Sequence, residues 1–251
     1  MRYSDLESYF LRGLSWCVGR SSIHERQYLR SAQPILSSGL PALDKILPDN
    51  GIWAGQMISV IGGPDAGKTT LAMHIVAHAQ KQGLTCAWID VGCMAGHFLW
   101  RQSGVDTFHL LYQQCCFFDV LKSFVDYLIK HTPLDLLVID DWSFAVLSNT
   151  LHSSLFSAAL NNDKFYQDRH RLLMYWIEQL MLFSKRMLVV HHWYQEQKTM
   201  AHLNCLDAIN IYLHSTGALF QNGLVVGIQS QVQVEYLAKT SLNTNIEMIF
   251  S

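Results

Sequence analysis

The sequence predicts an α/β fold: a mostly parallel central sheet with helices on both faces, ending in antiparallel strands. Three observations carry this. Short apolar runs without helical period, at Met57–Ile61, Thr85–Asp90, Asp135–Asp140 and Met187–His191, alternate with segments of helical spacing. A glycine-containing turn joins the first of these runs directly to a helix that Gly83 closes. Past residue 206 the pattern changes to short alternating segments at Ala208–Leu213, Gly223–Ile228, Gln231–Tyr236 and Ile246–Phe250. The 251 residues are 50% hydrophobic, enough for one sizeable core with room for a small appendage.

The appendage is expected first. Ser4-Asp5-Leu6-Glu7 is a capping box, and Leu6, Tyr9, Phe10 and Leu14 fall on one face behind it, so a short amphipathic helix is expected to end near Gly19. Residues 20–34 are polar and irregular and read as a linker, which gives two parts: 1–34, a candidate subunit-docking element, and 35–251, the core. The helix is suited equally to docking on its own core and on a neighbour. Within the core, Ser37–Asp44 is a turn leading into a short helix, Thr69–Gln82 a helix, Ala95–Ser103 a short helix and Phe108–Tyr112 a strand. Asp119–His131 carries Val120, Leu121, Phe124 and Leu128 at helical spacing, and Asp168–Lys185 is a long helix. Asp135–Asp140 is apolar except at its ends, as a central parallel strand should be.

The turn itself has a mechanism. Gly62 to Thr69 fit G-x-x-x-x-G-K-S/T without mismatch, with a strand before and a helix after. In that pattern the loop Gly62, Gly63, Pro64, Asp65, Ala66 and Gly67 curls its backbone N–H groups (Pro64 has none) around a phosphate chain, with Thr70 in the following turn. Lys68 reaches the β/γ-phosphates, Thr69 offers its hydroxyl to Mg²⁺, and the helix points its positive end at the anion. A nucleotide triphosphate with Mg²⁺ is therefore the expected ligand. Such a loop needs an acidic residue at the end of a neighbouring strand, and Leu136-Leu137-Val138-Ile139-Asp140 supplies Asp140 as the second metal-site residue. Asp141 is eligible as the carboxylate that orients an attacking water, making it a candidate catalytic residue beside Lys68. It fits equally as the N-cap of the turn Asp141-Trp142-Ser143.

Other classes are less well served. A net charge of −2 and a pI of about 6.6 give no general attraction to nucleic acid, so any DNA binding must come from a local patch. Six cysteines show no CxxC pair and no metal spacing, and reduced, mostly buried thiols are expected. Arg2, Asp5 and Glu7 precede any apolar run and no stretch is long enough for a membrane span, so a soluble, cytoplasmic protein is expected. His191-His192 invite a metal reading, but no carboxylate or cysteine pattern supports it.

Taken together, these residues resemble the bacterial RecA recombinase core. Ser37-Ser38-Gly39-x-x-x-Leu43-Asp44 looks like that family's opening motif, and Gly55-Gln56 followed by the strand and Gly-Pro-Asp-Ala-Gly-Lys-Thr-Thr looks like its phosphate loop. Gln80 to Asp90 follows the family in length and type, and Arg101 with Gly104-Val105-Asp106 continues in register. Val225-Val226-Gly227, Val232, Val234 and Glu247 are similar to its last core strands. The resemblance covers roughly residues 35–251, and the N-terminal helix resembles the one the family packs on a neighbouring subunit. No counterpart of the family's C-terminal domain is expected, because the chain stops at Ser251.

The resemblance implies further roles. An aromatic near the position of Arg101 stacks adenine in the family, which makes Trp100 the candidate by type, although a Trp on a short helix is also a common core residue. Leu147–Arg171 matches the first DNA-binding loop and the helix after it. Lys164, Arg169 and Arg171, interleaved with Phe165 and Tyr166, are candidates for single-stranded DNA, with Lys198 in the second loop. Asp163 and Asp168 dilute that charge, and a solvated helix start fits the same residues.

There are also departures. The water-activating glutamate of the family is replaced by Gly92, two residues after Asp90. The glutamine that senses the γ-phosphate is replaced near His192-Trp193. The two lysines that reach a neighbour's ATP fall on Tyr236 and Ala238, leaving Lys239 nearby. The second loop, Tyr194–Asn204, is short and has no glycine. The implied function is an ATP-binding protein of DNA repair and homologous recombination that binds single-stranded DNA, with weak or DNA-stimulated ATP hydrolysis. The alternative is a non-catalytic adaptor like the RecA-related ImuA proteins, docking on a recombinase or polymerase. A KaiC- or RadA-like signalling ATPase would show tandem cores or a zinc or protease-like appendage, which the sequence lacks.

Overall fold

The computed structural model describes residues 35–54, 56–91, 96–114, 124, 127–128, 134–140, 186–192, 208–236 and 240–249, with backbone alone for 186–192. The chain divides into units of residues 1–34 and 35–251, and the described residues all belong to the second.

The core begins with a closure that the sequence makes locally. Leu36 and Ile52 exchange backbone hydrogen bonds of 2.8 and 2.7 Å. Between them the Asp44 carboxylate accepts from Ser37 Oγ at 2.6 Å and from the Ser38 N–H at 2.8 Å. These bonds tie the turn to helix α1 (Pro41–Asp44), whose Leu43 is fully buried.

Strand β1 (Gln56–Gly62) is buried along its whole length, as the short apolar run requires. Helix α2 (Lys68–Lys81) follows and lays Leu71, Ala72, Ile75, Val76 and Ala79 on the sheet. That spacing is one apolar stripe of a 3.6-residue period. The helix stops where expected: Gly83 takes φ +74°, its N–H donates to the Gln80 carbonyl at 2.9 Å, and that of Leu84 to the Ala79 carbonyl at 3.1 Å. This is a Schellman ending, which a residue free to adopt left-handed backbone makes cheap. Strand β2 (Cys86–Asp90), helix α3 (His97–Gln102), strand β3 (Leu110–Gln114), strand β4 (Leu136–Asp140) and strand β5 (Arg186–His192) continue the alternation.

Among the described residues eight strands form one sheet, ordered β3-β2-β4-β5-β1-β6-β7-β8. β3 through β6 in that order are parallel, and β6, β7 and β8 are antiparallel. The expected fold class is therefore what the chain adopts. Of the segment Asp119–His131, Phe124, Tyr127 and Leu128 are helical; the rest of it, and the helix expected at Asp168–Lys185, lie outside the described residues. No helix among the described residues is long and apolar enough to cross a membrane.

Two expectations need correction. The strand expected at Phe108–Tyr112 starts at Leu110, because Asp106 caps a 3₁₀ turn over Thr107–His109 by accepting from the Phe108 N–H at 3.0 Å. The four short C-terminal segments are three long strands: β6 (Ala208–Gln221), β7 (Leu224–Tyr236) and β8 (Thr240–Ile249). β6 runs on past Leu213 through a bulge at Thr216, with Gly217 paired to Gln229, and Ser230 does not break β7. The reversal is the two-residue turn Asn222-Gly223, with φ +51° and +78°, between the paired Gln221 and Leu224. Asn-Gly is the residue pair such a hairpin turn favours.

Candidate nucleotide site

The phosphate-loop residues Gly62 to Thr70 lie where β1 meets α2, at the carboxyl end of β1. The loop needs glycine at two places for different reasons. At Gly62 a Cβ would stand 2.7 Å from the Leu213 carbonyl oxygen of β6, so the strand pair leaves no room for a side chain. At Gly67 the backbone is left-handed, φ +87°, and a Cβ would meet the Met248 methyl at 2.5 Å. Gly63 has nothing within 4 Å of a Cβ, and Pro64 and Asp65 are exposed on the crest of the loop.

Gly67 caps α2 without any side-chain hydrogen bond, and the first turn carries no acidic residue. The helix thus presents backbone N–H groups and the positive end of its dipole to the loop. Lys68, only 3% exposed, donates from Nζ to the Gly63 carbonyl at 2.6 Å, folding its charge over the loop. Thr69 Oγ1 donates to Asp140 Oδ2 at 2.8 Å, across 71 residues of sequence. Asp140 is 3% exposed at the end of β4. The two residues read from sequence as metal ligands are therefore in contact. Among the described residues no group of three or more His, Cys, Asp or Glu side chains is set to hold a metal. A cation here would draw on the Thr69 and Asp140 oxygens together with phosphate oxygens, which is how Mg²⁺ is usually held beside nucleotides.

A second carboxylate belongs to the same edge. Asp90 ends β2, stands in register with Asp140 on β4, is 1% exposed, and accepts from Tyr112 Oη at 2.9 Å. The sequence carried its signal: Cys86-Ala87-Trp88-Ile89-Asp90 has the form of Leu136–Asp140, an apolar run ending in Asp.

Trp100 sits elsewhere. It is 4% exposed, its ring edge-on to Trp88 at 4.5 Å and to Tyr112 at 5.7 Å between centroids. That packing makes it a core residue, the other of its two readings. Thr70 is half-buried in the first turn of α2. His192 stands beside Gly62 in the β1–β5 register. Asp141, Gly92, Lys164, Arg169, Arg171 and Lys198 lie outside the described residues. Away from the loop, burial and then the Asp135 charge push the Cys86 thiol up to about 12, which keeps it protonated and unreactive.

The comparisons with known proteins agree with this geometry. A family model described as the RecA N-terminal domain matches residues 14–162. The chain is 35% identical over 122 residues to the mitochondrial DNA repair protein recA homolog 3 of Arabidopsis thaliana, covering 49% of this chain and 28% of that protein. It is 31% identical over 190 residues to Protein RecA of Acidiphilium cryptum, covering 71% of this chain and 54% of the relative. For Protein RecA of Rhodospirillum centenum the figures are 29% over 213 residues, 79% and 58%. The chain thus spans 28% to 58% of the length of these relatives. With more than half of its residues inside the family model, and the phosphate loop within the matched span, this chain belongs to the RecA family.

Proposed function

We propose that this chain is an ATP-binding RecA-like protein of DNA repair and homologous recombination, in which residues 35–251 form the nucleotide-binding core and residues 1–34 a docking element. The observation that carries the nucleotide reading is the 2.8 Å contact between Thr69 and Asp140 at the mouth of a helix-capped phosphate loop. Lys68 is pre-folded over that loop by the Gly63 carbonyl, and on binding its ammonium exchanges that oxygen for those of the β/γ-phosphates. The α2 N–H groups hold the phosphate chain from the other side. Mg²⁺ bound with the nucleotide supplies charge neutralisation at the β/γ-phosphates; Thr69 and Asp140 are the residues that would hold it. Asp141 is the carboxylate assigned to orienting water. Lys164, Arg169, Arg171 and Lys198 are the assigned contacts to single-stranded DNA, and the cytoplasm the assigned compartment.

One observation favours a second reading. Gly92 stands where the RecA family carries its water-activating glutamate, so the groups that bind ATP are present while one that cleaves it is replaced. That division fits an adaptor that uses nucleotide as a structural ligand and docks through its N-terminal segment on a recombinase or polymerase.

ATP turnover with and without single-stranded DNA, with Lys68→Ala as the blank, separates the two. DNA-stimulated turnover lost in Lys68→Ala supports the recombinase-type reading. ATP binding without turnover supports the adaptor. ATP affinity unchanged in Lys68→Ala would overturn the site itself.

A further inference from the structure

The phosphate loop is held from outside by the C-terminal hairpin. Ser230, fully buried on β7, donates from Oγ to the Ala66 carbonyl at 3.1 Å, joining two residues 164 positions apart. Beside it the Met248 methyl of β8 fills the space against Gly67, and Ile228 Cγ2 lies 3.7 Å from where a Gly67 Cβ would be. Ile228 and Met248 are direct partners in the β7–β8 ladder, so the contacts come from one face of one antiparallel sheet.

The consequence follows from the peptide plane. In a trans peptide the carbonyl of one residue and the N–H of the next point in opposite directions. The hydroxyl that draws the Ala66 carbonyl toward β7 therefore sends the Gly67 N–H away from β7, to the loop's other side. Gly67 itself cannot enforce this, because a glycine permits either orientation of the adjoining peptide at little cost. The loop needs glycine for its left-handed turn and an external bond to choose among the conformations that glycine allows.

The neighbouring strand β6 is irregular at this point. The β6–β7 register runs Ser215 to Ser230 and then Gly217 to Gln229, leaving Thr216 as the extra residue of a bulge immediately beside Ser230. Thr216 Oγ1 pins the bulge by donating to the Gln229 carbonyl at 3.1 Å. Such a bulge bends β6 where it pairs with Ser230.

We propose that Ser230 is a positioning residue of the phosphate cradle: its hydroxyl presets the Ala66–Gly67 peptide so that the Gly67 N–H serves a bound phosphate. The inference rests on the nucleotide reading above and adds to that site a residue from the far end of the chain.

The test titrates the full chain with ATP and, separately, with inorganic tripolyphosphate, which has no base and reports on the cradle alone. Ser230→Ala should weaken both by the same factor, roughly ten-fold for the loss of one preset hydrogen bond. The urea midpoint of the ligand-free protein should also fall, because a buried carbonyl loses its donor, and Ser230→Thr, which keeps the hydroxyl, should restore binding. Should Ser230→Ala not fold, Ser230→Cys fills the space with a weak donor and must show the same parallel loss. Wild-type binding of ATP with equal binding by the folded variants overturns the positioning role and leaves the nucleotide site standing. Loss for ATP alone, with tripolyphosphate unchanged, also overturns it. Failure of the wild type to bind either probe overturns the nucleotide reading and this inference with it.

Discussion

Thr69→Val isolates the contact on which the metal half of the site depends. Valine keeps the shape and β-branching of threonine, so helix propensity and rotamer restriction nearly cancel and the change reduces to a lost hydroxyl. What is lost is a 2.8 Å hydrogen bond to a carboxylate that is 3% exposed. A hydrogen bond to a charged group contributes about 1.5–3 kcal/mol, and leaving a buried acceptor short of a donor costs at the same scale. Asp140 has further interactions, so the lower end applies, about 1.5 kcal/mol. For a chain of this size that corresponds to a fall in Tm of about 3–6 °C without ligand. Differential scanning fluorimetry with no ligand, with ATP alone and with ATP plus Mg²⁺ reads both halves. Thr69→Val should lose ligand-free stability and also the increment that Mg²⁺ adds to ATP. Asp140→Asn separates the two effects: an amide oxygen still accepts from the Thr69 hydroxyl, so ligand-free Tm should hold while the Mg²⁺ increment disappears. A Thr69→Val protein that melts within about 1 °C of wild type and keeps its Mg²⁺ increment would refute the reasoning.

Two further perturbations test the hairpin and one buried side chain. Gly223→Ala meets no atom within 4 Å but must hold φ +78°, so it should cost about 1–2 kcal/mol in urea unfolding with an unchanged m-value; wild-type stability would mean that the turn is not the Asn222-Gly223 type. His74 on α2 has its pKa lowered from an ordinary 6.5, by burial first and by the Lys81 charge second. A depressed folded value means that this group's contribution is fully present above pH 6.5 and is lost as pH falls through 6.5 toward the folded pKa. The slope is at most about 1.4 kcal/mol per pH unit, and His74→Gln should flatten the profile on the acid side of the ordinary histidine value; an unaltered profile in that variant would remove His74 as the cause.

How far the sequence could be read depended on the reach of each interaction. β1, the phosphate loop and α2 were legible because their signals are local: an apolar run, glycines at fixed offsets, a stripe at helical spacing and a closing Gly83. Asp140 was legible because a buried parallel strand is a continuous apolar run and the charge ending it stands out. Asp90 ends a run of the same form, so its signal is equally local. The expected C-terminal segments end β6 at Leu213 and divide β7 at Gln229-Ser230, because polar residues and a bulge look like breaks until the partner strand is known. For Trp100 the residue type suggested a ring able to stack, while its burial against Trp88 and Tyr112 is set by packing that no spacing encodes. Ser230 had no sequence signal, since its partner is a backbone carbonyl 164 residues away. The basic cluster Lys164–Arg171 lies outside the described residues, so its role rests on the resemblance.

The contacts that shape the loop share one property, and it bears on what the protein does with a nucleotide. Leu213 excludes a side chain at Gly62, Ser230 fixes the Ala66 carbonyl, Gly63 holds the Lys68 ammonium, and Asp140 holds the Thr69 hydroxyl, all before a ligand is bound. On the proposed reading, groups placed in this way bind a triphosphate whether or not it is cleaved. Interactions made equally with substrate and transition state raise affinity without raising turnover. Acceleration needs something more, a group that acts on the attacking water only as the reaction proceeds, and the resemblance to the RecA family implies Gly92 at the position of that group. On the proposed reading this gives tight ATP binding with slow cleavage. Asp141 is then the residue on which the difference between a slow motor and a nucleotide-stabilised adaptor turns. If Asp141→Ala lowers DNA-stimulated turnover while ATP affinity holds, the motor reading stands; if wild type and variant share the same negligible turnover, the nucleotide acts as a ligand that sets the fold for a partner.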